Sequence, residues 1–154
     1  MLRSDLPLFL PLWLPDWDAA GVVAAGIDLD QTAADVGKFS VPFKCEVLMA
    51  GLTIVETCAG TTPGVVKFDL RPTAGSDTSR GDGDIATFAM GTTAAGKVLY
   101  DKAGIGTTLE PGNEVVVEIA TQPVTGPAGQ FIPFLLVKPV PETIANLDNM
   151  VETA

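Results

Sequence analysis

The chain has 154 residues, 47% apolar and 18% charged, enough for one folded core and too apolar for a disordered chain. Its formal net charge of −10 repels phosphate backbones and anionic bilayers, which argues against nucleic acid and membrane surfaces as partners. It contains no histidine, so the usual general base, the Ser-His and Cys-His nucleophile pairs and the commonest transition-metal ligand are all missing, which points away from an enzyme.

Near the N-terminus, Leu6 to Leu14 reads LPLFLPLWL behind Arg3. Pro7, Pro11 and Pro15 interrupt the run and Asp16 and Asp18 follow it, a poor match to a secretory signal. It is also far short of the roughly 20 apolar residues of a spanning helix. Proline at every fourth position excludes a regular helix and the interior of a sheet. The expectation is an extended, polyproline-like arm over residues 1–20, carrying Leu8, Phe9, Leu10, Leu12, Trp13 and Trp17.

From residue 21 the pattern changes to short apolar runs between turn signals. Val22–Asp30 reads as a first strand, with Gly26 a bulge position. Lys38–Met49 alternates, with Phe39, Val41, Phe43, Cys45, Val47 and Met49 on one face. Ala50-Gly51 is the expected two-residue turn into a strand over Leu52–Cys58. Further strands are expected at Gly64–Arg71, Asp84–Met90, Lys97–Lys102, Glu114–Thr121 and Gln130–Lys138. In Glu110-Pro111-Gly112-Asn113, Pro111 presets the second position and Gly112 accepts the positive φ of the third, so a type II turn ending at Asn113 is expected. Glu142–Met150 has the pattern of a short helix within a tail over residues 141–154. About eight short strands at this spacing predict one all-β domain over residues 21–140, an antiparallel jelly roll or β-sandwich with an extended N-terminal arm.

The order of these elements resembles a known family. The residues that carry it are the strand at Val41–Val47, the strand ending near Cys58, Phe68–Pro72, Ala95–Tyr100 and Leu109–Glu118. Over residues 22–140 the chain resembles the small jelly-roll head decoration, or cement, proteins of tailed bacteriophages. The resemblance implies a multimeric, non-enzymatic protein on the outer capsid surface of the virion, with the major capsid protein as its partner. The alternative is a carbohydrate- or receptor-binding module of a phage tail or fibre. No cofactor, catalytic residue or metal ligand is implied.

The remaining motifs have modest readings. Cys45 and Cys58 would lie diagonally across the expected hairpin, too far apart for a disulfide, so buried free thiols are expected. Arg80-Gly81-Asp82 sits with Asp77 and Asp84 in an acidic loop, read as a solvated hairpin loop with a weak Ca²⁺ site as the alternative. Asp28, Asp30 and Asp35 form a second such set. Large apolar side chains in the arm point to a partner surface, either a capsid subunit or a neighbouring copy, with folding back over one open end of the chain's own sandwich as the alternative. A closed homo-oligomer follows from this, a trimer before a dimer. Deleting residues 1–18 is then expected to leave the sandwich folded while weakening attachment.

Overall fold

A computed structural model describes residues 7–13, 25–31, 35–71 and 85–140. Trp17, the acidic loop with Asp77, Asp82 and Asp84, and the tail expected to form a short helix lie outside the described residues. The described residues form ten strands: β1 (Leu8–Pro11), β2 (Ile27–Asp28), β3 (Asp35–Ser40), β4 (Cys45–Ala59), β5 (Val65–Arg71), β6 (Ala86–Ala89), β7 (Val98–Asp101), β8 (Thr108–Leu109), β9 (Glu114–Thr121) and β10 (Ala128–Pro139).

They form two antiparallel sheets. One has the order β1-β10-β4-β7, with β2 also on β10 and β8 also on β4; the other has the order β3-β9-β5-β6. The strands β1 and β2 lie end to end along one edge of β10, and β7 and β8 lie end to end along the far edge of β4. With each pair counted as one strand, successive strands run 1-8-3-6 in one sheet and 2-7-4-5 in the other, which is the jelly-roll path. The fold class expected from the sequence is therefore present.

The inner faces of both sheets supply the core. Val47, Leu52, Ile54, Phe131 and Leu135 from the first sheet meet Val66, Phe68, Val115, Val117 and Ile119 from the second, all almost fully buried. The rings of Phe68 and Phe88 pack in a tilted arrangement, with centroids 5.3 Å apart and planes at 60°. The turn at Glu110–Asn113 forms as expected. Gly112 has φ +88°, the Asn113 amide donates to the Glu110 carbonyl, and the Asn113 side chain accepts from the Glu110 amide. Gly112 and Val41 then join the turn to the β3–β4 connection, because the Gly112 amide donates to the Val41 carbonyl. A Cβ at Gly112 would meet no atom within 4 Å, so Gly112→Ala should cost only the left-handed backbone, about 1 kcal/mol by thermal or denaturant unfolding.

Two strand expectations are corrected. The alternating run Lys38–Met49 is not one strand. It divides at Val41–Lys44, where Pro42 cannot donate to a ladder, and the chain crosses from β3 in one sheet to β4 in the other. Ala50-Gly51 is not a turn, because β4 runs unbroken from Cys45 to Ala59. The inward parity still changes, from Cys45 and Val47 to Ala50, Leu52 and Ile54. A bulge causes this: Val137 pairs with Val47 and Leu136 with Met49, leaving Leu48 as the extra residue.

Gly51 serves a different purpose. A Cβ there would lie 2.2 Å from Cζ of Phe134, so the bare glycine lets an aromatic ring from β10 lie across β4. Gly51→Ala should push the ring outward and cost on the order of 1–3 kcal/mol, read as a lower midpoint in urea.

The arm expectation is also corrected. Leu8–Pro11 is an edge strand paired with Val137–Phe134 of β10, not a polyproline segment outside the sheet. The prolines are accommodated by position. The Leu12 amide donates to the Pro133 carbonyl, so Leu10 and Leu12 turn their amides to β10 while residue 11 faces the open edge. Pro11 thus loses no ladder bond and blocks further strand addition at that edge. Pro133 has no N–H to return the bond to Leu12, and the edge strand stops there. Its line resumes at Ile27, opposite Phe131.

Candidate functional site

The arm residues divide by parity. Leu10 and Leu12 point inward and are buried in the chain's own core, where Leu12 is fully enclosed. Trp13 is half-buried and packs against that core. Of the five described candidates, Leu8 and Phe9 are exposed, Phe9 at 57%. Leu10 and Leu12 are removed from the expected partner surface because β10 and the core already occupy them, while Trp17 lies outside the described residues.

Phe9 joins a larger surface on the outer face of the first sheet. Its ring stacks on Phe134 at 5.1 Å and 25°. Strand register extends the surface across four strands. One row runs Pro11, Phe134, Gly51 and Tyr100. A second runs Phe9, Leu136 and Met49, and a third Ile132, Thr53 and Val98. No side chain in these rows is charged, and Tyr100 and Val98 are 61% and 51% exposed.

Sequence reasoning missed Leu136, Ile132, Met49, Tyr100 and Val98 as residues of this outer face, together with Phe134, which lies on the same side of the sheet but is nearly buried, with Phe9 stacked on it. The signal was the run FIPFLLV in β10, apolar at both parities. A two-sheet sandwich has only one buried face per sheet, so such a strand puts apolar groups on the outside.

The outer face of the second sheet is different. It carries ionised side chains: Lys38 Nζ lies 2.9 Å from Glu114 Oε1, and Arg71 Nη2 lies 2.9 Å from Asp35 Oδ2. Glu114, Glu118 and Asp69 on this face are nearly buried. The two outer faces therefore present opposite chemistry, one charged and one apolar.

The other motifs do not converge on a site. Asp28 and Asp30 are neighbours, with the Asp30 amide donating to Asp28 Oδ1. The Asp28 charge, then burial, hold the Asp30 carboxyl above its ordinary range. Asp35 is turned away, paired with Arg71. Among the described residues no three His, Cys, Asp or Glu side chains come together as a metal cluster.

Cys45 and Cys58 are both buried and free. The expectation holds for another reason than the one that led to it: they sit 13 residues apart on one strand, β4, roughly 40 Å along its length, instead of across a hairpin. Burial pushes the Cys45 thiol up to about 11, and burial with the Glu56 charge pushes Cys58 up as well. Neither should react with a thiol reagent at pH 8 until the protein unfolds, and rapid native-state labelling by mass spectrometry would contradict this. The raised Cys45 value also sets a stability window. The unfolded thiol ionises near 9 and the folded one near 11, so its contribution is complete below pH 9 and declines between pH 9 and 11. Cys45→Ala should make that alkaline decline shallower.

No protein-family model matches the chain, and no curated protein matches it. Among solved structures, it is similar to a chain described as the capsid of Ralstonia phage GP4. The match has a TM-score of 0.51 and 21% identity, covering 90% of this chain and 86% of that one. At this identity the likeness is one of fold, and it extends over nearly the whole jelly roll.

Proposed function

We propose that this chain is a structural protein of a tailed-phage virion that binds the outside of the capsid non-covalently and stabilises it. The observation that carries the reading is the similarity of fold, over 90% of the chain, to a chain described as the capsid of a phage. The sequence resemblance to head decoration proteins supports the same reading from its turns and strand order. Its mechanism is mechanical: each copy adds buried area across contacts between shell subunits that would otherwise open under internal pressure. A net charge of −10 suits the outer surface, away from packaged DNA. The proposed partners are the major capsid protein and further copies of this chain, as a trimer before a dimer.

The test is addition of the purified protein to shells of the major capsid protein encoded with it. Co-sedimentation and added density on the outer surface by electron microscopy are the expected result. Failure to bind, or density inside the shell, would overturn the reading. Sedimentation of the free protein at micromolar concentration tests self-association, and a clean 16.0 kDa species would remove the oligomer from the proposal.

The alternative, a glycan- or receptor-binding module, gains Phe9 and Tyr100 as exposed aromatics on one face. In the rows described above, however, the only side chains able to hydrogen-bond are those of Thr53 and Tyr100, too few for a sugar's hydroxyls. A glycan array distinguishes the two.

A further inference from the structure

The outer face of the β1-β10-β4-β7 sheet is apolar without contributing to the core between the sheets. Four strands about 4.8 Å apart, over roughly five residues each, give a patch of roughly 300 Å². That is the size at which an exposed apolar patch on a single chain is often functional.

Charge and area together indicate what covers it. Among the described residues, no acidic or basic side chain falls within the three rows. One end is bordered by Glu46 and Lys138, which pair across β4 and β10. Lys102 lies at the same end, its Nζ 5.6 Å from the centre of the Tyr100 ring. The other end is bordered by Asp28 and Glu56, both in register with Gln130, so the border carries charges of both signs. Two copies meeting here would bring together two molecules that each carry a net charge of −10. They would also bury roughly 300 Å² each, against the roughly 800 Å² per partner of a stable free pair.

We propose that this face is the attachment surface, and that its occupant is a shell subunit presenting a matching apolar strip. The proposal rests on the decoration reading above and assigns it a surface and a partner chemistry. One face alone binds weakly. Several faces held by one oligomer against a regularly repeating shell bind by avidity, so the small patch area is sufficient.

The experiment uses the full chain with Tyr100→Ser and Phe9→Ser combined, and separately Val98→Lys and Lys102→Glu. All four positions lie outside the inner core, and circular dichroism and the melting transition establish that each variant folds. Binding is measured by co-sedimentation with shells assembled from the co-encoded major capsid protein. The double variant and Val98→Lys should each bind at least tenfold more weakly. Lys102→Glu, which alters only the border, should bind within about twofold of the parent.

The outcomes are distinct. If the parent chain does not bind shells, the decoration reading fails and this proposal with it. If the parent binds and the face variants bind equally well, the decoration reading stands and the face is not its surface. If the variants lose self-association in sedimentation but retain shell binding, the occupant is a second copy and the proposal is wrong.

Discussion

Deleting residues 1–13 should unfold the protein, or leave it loosely packed and aggregating, and should not release an intact sandwich. This reverses the expectation drawn from the sequence, where the arm was an attachment device on a self-sufficient domain. Leu10 is 8% exposed and Leu12 fully buried, so the deletion opens the core between the sheets. Each leucine removed from such a site costs about 2–5 kcal/mol. A domain of this size has about 5–15 kcal/mol in total. The deletion also uncovers Phe134–Val137 of β10, an apolar edge that β1 and its Pro11 otherwise close. Leu12→Ala alone should lower the urea midpoint by an amount corresponding to about 2–5 kcal/mol, with an unchanged slope. A truncated chain that melts cooperatively near the parent temperature would show that the arm is dispensable to the fold.

Why the arm was misread is instructive. Proline spacing says where backbone donors are missing, but not which side of the strand they face. With Leu10 and Leu12 paired to β10, the donor missing at Pro11 belongs to solvent, and an edge strand tolerates what a central strand does not. The other errors have equally local causes. Gly51 carries the same signal whether it closes a hairpin or lies beneath an aromatic ring, and only the position of Phe134, far along the chain, separates the two. The parity change after Val47 fitted a turn as well as it fits the bulge at Leu48. The crossing at Pro42 was hidden because both sheets face one core, so alternation from Phe39 through Val47 continues across it.

Features set by near neighbours were legible. The Pro111-Gly112 turn, β9 at Glu114–Thr121 and the spans of β5, β7 and β10 were each placed to within a few residues. The apolar outer face was not, because it exists only after register brings Phe9, Phe134 and Tyr100 from three distant segments onto one surface. No local spacing encodes that alignment.

The second large effect is expected at Gly37, on the opposite sheet from β1. A Cβ at Gly37 would lie 2.6 Å from the carbonyl oxygen of Leu12. The residue that follows β1 on the first sheet therefore lies against β3 on the second, and Leu12 closes the gap between the two sheets at this edge. Backbone cannot swing aside as a side chain can. Gly37→Val must displace Leu12 from its pocket, or else bend β3 away from Val117 of β9, with which Gly37 pairs. Either response should cost on the order of 2–3 kcal/mol, with Gly37→Ala costing less. A double-mutant cycle separates them. If the arm is what yields, Leu12→Ala and Gly37→Val should be strongly non-additive, because the second change removes packing that the first has already lost. Additive losses would mean that β3 bends instead and the arm stays seated. Proteolysis gives an independent readout: Gly37→Val should expose the chain near Trp13 to cleavage while β4, β9 and β10 remain protected.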